Sequence, residues 1–256
     1  MIDDKAIIHP SAKIAEGVSI GPGTIIGADV EIGENTWIGP HVIIDGPTTI
    51  GKNNKIFQFS SIGDEPQDIT YKGEPTRLEI GDNNVIREYC MISRGTVKGG
   101  GVTRVGNGNF LMAYAHIGHD CMVGNQIIMV NYAALSGHVT IDDFAIIGGY
   151  AAVHQFCHIG VYAFIARATY VVKDVLPYVM IAGHTTSACG INTVGLRRRG
   201  FSSAAIDGLR RAYKIIFRKG LTVQQAVAEL ELMQQECPEV IPMIDALNQS
   251  TRGIVR

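Results

Sequence analysis

Aliphatic residues recur at every sixth position through most of this chain. The in-register series covers three stretches, from Ile8 to Ile62, from Ile80 to Ile92 and from Val105 to Val171, and glycine often follows the aliphatic residue. A period of six fits neither an α-helix, with ~3.6 residues per turn, nor a heptad coiled coil. A hexapeptide repeat indicates a parallel β-helix.

Each hexad supplies one short strand and one corner, and three hexads close a triangular coil of 18 residues. The aliphatic side chains point inward and stack on their equivalents one coil away, at the ~4.8 Å spacing of neighbouring strands. Glycine or another small residue suits a corner, where a side chain would crowd or φ is restricted. We therefore predict a mostly β protein, a left-handed parallel β-helix, which departs from the usual right-handed crossover.

Two interruptions of the repeat predict loops that leave the coil, near residues 63–79 and 93–104. The first is charged and contains proline. The second contains three glycines after Lys98. This glycine run lacks the spacing of a phosphate-binding P-loop and no helix pattern follows it, so it indicates a flexible loop. Loops on a rigid scaffold commonly carry function.

A helical pattern follows the repeat. One amphipathic helix comes first, and Thr222 with Gln225 then forms a capping-box pattern ahead of a second helix. Pro238 opens a third helix. We predict a β-helix over residues 1–190 and a small helical domain over residues 191–256.

Composition excludes several classes of protein. Charged residues make up 18% of the chain and the net charge is −2, so there is no overall basic field for nucleic acid. No apolar run approaches the ~18 residues of a membrane span, and the start of the chain has no signal-peptide pattern. The five cysteines are odd in number and scattered, which is typical of reduced thiols. We predict a cytoplasmic protein that neither binds nucleic acid nor inserts into a membrane.

The stretch AHIGHDCMVG contains the histidine of greatest interest. Ile117 is an in-register core position, so His119 is the third residue of its hexad and should point outward rather than be buried. Gly137 and Gln155 lie 18 and 36 residues further on, and the three should form one column, one coil apart. The histidines around this column are His116, His138 and His154.

Three interpretations of this column compete. It could be a solvated face, although histidine, glycine and glutamine make a poor solubilising surface. It could be a zinc site of the gamma carbonic anhydrase type, with His116, His119 and His138 as ligands, but no carboxylate-rich metal pattern accompanies it. The third is general-base catalysis by His119, with Asp120 beside it and the Gly137 amide available to an oxyanion.

Several longer motifs match a known family over essentially the whole chain. They are QDITYKGEPTRLEIGDNNVIRE, RGTVKGGG, AHIGHDCMVGN, LSGHVTIDDFAIIGG, AVHQFCHIG, GLRRRGFS and STRGIVR. On these motifs the chain resembles the UDP-N-acetylglucosamine O-acyltransferases that begin lipid A synthesis in Gram-negative bacteria. The hexad repeat alone would indicate only a hexapeptide acyltransferase.

The resemblance implies a reaction and roles for its residues. A 3-hydroxyacyl group would pass from acyl carrier protein to the 3-hydroxyl of UDP-N-acetylglucosamine. His119 would accept the hydroxyl proton, and Asp120 would support His119. The Gly137 amide would contribute to the oxyanion hole. The carrier's phosphopantetheine thioester is a substrate, so we expect no cofactor, no metal and no acyl-enzyme. Cys121 is then a small core residue rather than a nucleophile.

The resemblance also implies residues that contact the substrates. These are Asp68, His116, His138, His154, Gln155, Asn192, Arg198 and Arg199. Arg167 would set acyl length, as the floor of a groove between subunits. A three-sided prism favours a homotrimer with sites between subunits. Basic residues from Arg210 to Lys219 favour docking of the acidic carrier protein.

Two positions depart from the family pattern. Thr70 stands where many relatives have lysine, so one charged contact to the nucleotide is expected to be missing. Ser93 stands where relatives often have histidine, and nothing in the sequence explains that change.

Two rival functions share the repeat. The related N-acyltransferase of the same pathway carries an N-terminal uridine-binding domain, for which a repeat that begins by Ile8 leaves no room. A purely structural hexapeptide protein would need neither the His119 column nor the two loops.

Overall fold

The computed structural model describes residues 1–183 and 186–256. Short strands form three long sheets around one axis, and each pairs in parallel with a strand one coil away, except that the last strand, Ser187–Ile191, pairs antiparallel with Val179–Ala182. The register is the one that the repeat predicts, because Ile7 pairs with Ile25 and Ile117 pairs with Leu135. The structure therefore confirms the parallel β-helix.

Each sheet forms one flat side of the prism. The first sheet comprises β1 (Ile7–Ile8), β4 (Ile25–Ile26), β7 (Ile43–Ile44), β10 (Ser61–Asp64), β13 (Met91–Ser93), β16 (His116–Ile117), β19 (Ala134–Leu135), β22 (Ala152–Val153) and β25 (Tyr170–Val171). The second comprises β2 (Lys13–Ile14), β5 (Val30–Ile32), β8 (Thr48–Ile50), β11 (Arg77–Ile80), β14 (Val102–Val105), β17 (Met122–Val123), β20 (Thr140–Ile141) and β23 (His158–Ile159). The third comprises β3 (Ser19–Ile20), β6 (Trp37–Ile38), β9 (Lys55–Ile56), β12 (Val85–Ile86), β15 (Phe110–Leu111), β18 (Ile128–Met129), β21 (Ile146–Ile147), β24 (Phe164–Ile165), β26 (Val179–Ala182) and β27 (Ser187–Ile191).

The in-register aliphatic side chains form the core, and those of Ile117 and Ile147 are fully buried. The glycines after them allow the coils to stack. Gly118 has no positive φ, but a Cβ there would lie 2.9 Å from both the Gly137 nitrogen and the Leu135 carbonyl oxygen. The backbone of the next coil therefore occupies the space that a side chain would need.

Large residues, as well as the glycine and small residues that we expected, hold the positive φ angles of the corners; Gly17, Gly23, Gly108 and Ala168 are among the small ones. We name the corners by the sheet that precedes them. The positive-φ residues of the first corner include Asp120, His138 and Phe156, those of the second Phe144 and Tyr162, and those of the third Phe59, Tyr89, Tyr114, Tyr132 and Tyr150. Rings one coil apart stack, as Tyr114 does on Tyr132 with centroids 4.6 Å apart. Stacking contacts of this kind offset the cost of the left-handed backbone.

Both loops leave the prism at the first corner. The first loop, residues 65–76, joins β10 to β11, and the second loop, residues 94–101, joins β13 to β14. In each case a strand of the first sheet precedes the loop and a strand of the second sheet follows it. The two insertions therefore leave at the corner that carries His119, in the two coils that precede it.

Helices follow the last coil. They are α1 (Thr193–Arg198), α2 (Ser203–Arg218), α3 (Val223–Met233) and α4 (Ile241–Gln249), with 3-10 turns at Val97–Gly99 and Pro238–Val240. The capping box of Thr222 and Gln225 is present, as predicted. The short helix α1 was not predicted. None of the helices in residues 1–183 and 186–256 combines the length and apolar character needed to cross a membrane.

Candidate active site

His119 and Asp120 form a hydrogen-bonded pair at the first corner. They follow β16, and the distance from His119 Nδ1 to Asp120 Oδ2 is 2.8 Å. Because a carboxylate only accepts, Nδ1 carries a proton and donates this hydrogen bond, which leaves Nε2 facing away from Asp120. The arrangement leaves Nε2 as the basic atom of the ring.

The Asp120 carboxylate is held by the second loop. Thr96 donates its backbone N–H to Oδ1 and its hydroxyl to Oδ2, each at 2.7 Å. The Asp120 N–H in turn donates to Thr103 Oγ1 at 2.8 Å. A side chain at Gly99 would run into the Asp120 carboxylate, so glycine is required there. The second loop, which we predicted to be flexible, is thus anchored at this point.

His119 lies outside the core, as predicted, but it is not the exposed residue that we expected. Only 8% of it is accessible in the chain. The His138 ring packs edge-on against it at 5.1 Å. A Cβ at Gly137 would lie 2.6 Å from Nε2, so only glycine fits beneath the ring. Within the described residues, the Gly137 N–H meets no acceptor, which leaves it free to bind a ligand oxygen.

Two further histidines surround the pair. The His138 ring stacks on Phe156 at 4.4 Å, and its Nε2 is 3.6 Å from Asp120 Oδ2. Burial lowers the pKa of His138, and burial followed by the charge of His119 lowers the pKa of His116. Both rings therefore favour the neutral form near pH 7 and offer hydrogen bonds rather than charge.

The first loop brings Asp68 to the same corner. Its Oδ1 accepts from the backbone nitrogen and the hydroxyl of Thr70, each at 2.8 Å. These hydrogen bonds lower the pKa of Asp68, and the charges of Lys98 and His119 lower it further. Asp68 is therefore an ionised acceptor beside the histidines.

His154 and Gln155 continue the column one coil beyond Gly137. His154 Nδ1 is 3.1 Å from the Gln155 carbonyl oxygen, and the Gln155 side chain is exposed. Both residues lie at the first corner, where the sequence places them.

The remaining expected substrate contacts lie at other corners of the same chain. Asn192 caps α1, where its Oδ1 accepts from the Gly195 N–H and its Nδ2 donates to the Tyr162 carbonyl. Arg198 ends α1, and the Arg199 guanidinium lies 4.5 Å from the centroid of the Phe144 ring at the second corner. A single chain therefore does not bring these three residues to His119.

Arg167 lies at the third corner. Its side chain is exposed and its guanidinium lies 5.4 Å from the centroid of the Tyr150 ring, so the ring face stabilises the charge. Arg167, too, is separated from His119 within one chain.

His119, Asp120 and His138 present ligand atoms within 4.8 Å of one another, so a metal has to be considered. However, both oxygens of Asp120 already accept hydrogen bonds from Thr96 or His119, and a bound metal would have to displace these hydrogen bonds. Cys121 is no alternative nucleophile, because it is fully buried and burial raises its pKa to about 12. The donor set suits a histidine base.

A hexapeptide β-helix with a histidine–aspartate pair at one corner, beside a free backbone amide, defines a hexapeptide-repeat acyltransferase. Comparison with known proteins agrees. Residues 29–64 match the bacterial transferase hexapeptide model, and residues 174–255 match the second domain of UDP-N-acetylglucosamine O-acyltransferase. The chain is 55% identical, over 255 residues, to a Pseudomonas entomophila protein named acyl-[acyl-carrier-protein]–UDP-N-acetylglucosamine O-acyltransferase, with 100% of the chain and 99% of the relative covered.

Solved structures agree with the sequence relatives. UDP-N-acetylglucosamine O-acyltransferase from Moraxella catarrhalis is similar with a TM-score of 0.97 and 45% identity, covering 100% of this chain and 99% of that one. The Francisella novicida UDP-N-acetylglucosamine acyltransferase gives a TM-score of 0.97 and 49% identity, covering 100% and 94%. The chain belongs to the UDP-N-acetylglucosamine O-acyltransferase family and is an acyltransferase. The left-handed β-helix class is confirmed, and the N-acyltransferase and carbonic anhydrase alternatives are not favoured.

His138, at the first corner, and His158, on strand β23, should titrate on opposite sides of the ordinary histidine pKa. His138 should titrate below pH 6.5 because burial disfavours its cation, and His158 above pH 6.5 because it binds Asp142 Oδ1 at 2.9 Å. Ring resonances followed by NMR would measure both values. Since the folded pKa of His158 is raised, its stabilising effect is greatest below its unfolded pKa and is lost as pH rises through the folded pKa. Asp142→Asn should lower the His158 value and leave His138 unchanged; equal shifts would contradict the assignment.

Proposed function

We propose that this enzyme transfers a 3-hydroxyacyl group from acyl carrier protein to the 3-hydroxyl of UDP-N-acetylglucosamine, as the first step of lipid A synthesis. The His119–Asp120 hydrogen bond of 2.8 Å carries the proposal, because it orients a histidine base beside a free amide. The names of the relatives give the same donor and acceptor. The cytoplasmic location predicted from the sequence stays a prediction.

The reaction needs one base and no covalent intermediate. His119 Nε2 accepts the proton of the sugar hydroxyl as that oxygen bonds to the thioester carbonyl carbon. The developing oxyanion accepts a hydrogen bond from the Gly137 N–H. When the carbon–sulfur bond breaks, the imidazolium returns its proton to the leaving thiolate, and Asp120 stabilises the imidazolium in between. No step requires a metal or a cofactor.

The sugar nucleotide would bind along the first corner. Asp68 is an acceptor for sugar hydroxyls, and His116 and His138 offer neutral ring nitrogens. His154 and Gln155 extend the same surface by one coil. Asn192, Arg198 and Arg199 would meet the nucleotide from a neighbouring subunit, because they lie at a different corner of their own chain.

We infer that the assembly is a homotrimer built through the first sheet and the third corner. The outward residues of the first sheet include the exposed Ile7, Ile25, Ile43, Met91 and Tyr170. The stacked rings of the third corner lie along one edge of this apolar face. The outward residues of the second sheet are instead charged or polar, among them Lys13, Glu31, Glu79 and Arg104. Exposed apolar area of this extent is typical of an interface.

The carrier protein would dock on α2. Arg210, Lys214 and Arg218 recur every fourth residue and line a cavity of about 380 Å³ together with Tyr213 and Cys189. Arg211 does not line this cavity and lies beside Cys237 instead. A basic stripe along a cavity suits an acidic partner.

His119→Ala should lower kcat by at least ~10²–10⁴-fold, because the base is lost. The measurement is ester formation from UDP-N-acetylglucosamine and 3-hydroxyacyl carrier protein, with light scattering to confirm an unchanged trimer. His9→Ala, a change of the same type in the first coil, is the matched control. Turnover within a few-fold of wild type in an assembled His119→Ala enzyme would contradict the mechanism.

Charge reversal at Lys214 and Arg218 should raise the KM for the carrier protein about tenfold or more and hardly change the KM for the sugar nucleotide, because the acidic partner is repelled. Arg211→Glu changes the charge on the same helix away from the cavity and should have a much smaller effect. Steady-state kinetics with each substrate varied in turn provides the measurement. Equal changes in both KM values would argue against docking at this stripe.

Arg167→Gly should shift the products toward longer acyl chains. The Tyr150 ring holds the guanidinium in place, so the arginine side chain fills space at the third corner that a long acyl chain would need. Each methylene excluded is worth ~1–3 kcal/mol, so competition among ten-, twelve- and fourteen-carbon substrates should show the shift. Arg104→Gly, on the second sheet, serves as the control. An unchanged distribution of acyl-chain lengths in the products would mean that another residue sets the acyl length.

A further inference from the structure

The two loops at the first corner meet through one lysine. Lys98 lies on the 3-10 turn of the second loop, and its Nζ donates to Thr70 Oγ1 at 2.8 Å. Thr70 donates its own backbone N–H and hydroxyl to Asp68 Oδ1, each at 2.8 Å. The charge of Lys98 is therefore connected, through one hydroxyl, to the carboxylate that the first loop brings to the site.

The same turn holds the catalytic pair. Thr96, two residues before Lys98, donates twice to the Asp120 carboxylate, and the backbone of Gly99 packs against that carboxylate. The buried Thr96 and the half-buried Gly99 therefore fix the turn on either side of Lys98 at the site, and the exposed lysine side chain lies beside it. In agreement with this, the pKa of Asp68 is lowered first by its hydrogen bonds from Thr70 and then by the charges of Lys98 and His119.

The Lys98 ammonium remains available to a ligand. The residue is exposed, and within the described parts of the chain it forms no ion pair with a carboxylate. An ammonium group has three donors, of which Thr70 occupies one. Lysine is a common phosphate binder as a point charge. A substrate phosphate would find a free cation here, next to the histidines.

We propose that Lys98 is a substrate-positioning residue whose ammonium binds a substrate phosphate at the first corner. The inference rests on the proposed acyl transfer. The ligand is a phosphate group, which belongs either to the diphosphate of the sugar nucleotide or to the phosphodiester of the carrier's phosphopantetheine arm. Because the Lys98 nitrogen touches the Thr70 hydroxyl, a lysine at position 70 would put its charge in the same place.

The experiment compares wild type with Lys98→Gln, Thr70→Val and the exchange variant Lys98→Gln/Thr70→Lys. Glutamine keeps a donor at position 98 but removes the charge, whereas valine at position 70 removes the tether and keeps the charge. Lys55→Gln, on the third sheet, controls for the change in net charge. Each substrate is varied in turn, UDP-N-acetylglucosamine binding is measured by calorimetry, and both are repeated at two salt concentrations.

Lys98→Gln should raise the KM of one substrate about tenfold with kcat within about threefold of wild type, and that substrate identifies the phosphate. The effect should shrink at high salt, and Lys55→Gln should lie close to wild type. Thr70→Val should raise the same KM less than Lys98→Gln does, because it keeps the charge, and the exchange variant should recover to within about threefold. Unchanged KM values, or a fall in kcat alone, would overturn the inference, as would an exchange variant no better than Lys98→Gln. An inactive wild type would instead overturn the proposed function, which is a separate result.

Discussion

Hydrogen bonding between successive coils is the constraint on which this molecule depends. Once a residue is paired with its equivalent one coil away, its place in the hexad decides whether it enters the core, lies on a flat side or turns at a corner. The pairing survives both insertions, because Ile62 pairs with Ile92 and Ile92 with Ile117 although the coil between them is lengthened. The scaffold therefore admits both loops at a corner and keeps the core positions in register, with one local register shift between Ile62 and Asp64 where the first loop leaves.

This constraint explains how much of the site was predictable. Counting 18 residues from His119 reaches Gly137, and the structure places that glycine directly beneath the His119 ring. The capping box at Thr222 was likewise predictable, because it depends on residues three positions apart. Local and periodic features of this kind are encoded in the spacing of residues alone.

Features that depend on the loops could not be predicted in the same way. The burial of His119 and the hydrogen bonds of Thr96 to Asp120 require the second loop to fold back on its own corner. Nothing periodic specifies that path. The positive φ of residues such as Tyr132 was missed for another reason: the compensation comes from a ring one coil away, not from the residue's own conformational preference.

The hydrogen bonds of Asp120 join His119, the proposed base, to the second loop. The carboxylate is fully buried as a side chain, and such a group is stable only when its oxygens are satisfied. Thr96 and His119 together satisfy these oxygens. The carboxylate that anchors the second loop through Thr96 is therefore also the group that fixes the His119 tautomer. Opening the loop would remove two donors from Asp120 and leave His119 as its remaining strong partner. The loop therefore supports the buried carboxylate that orients His119, and the same loop carries Lys98 to this corner.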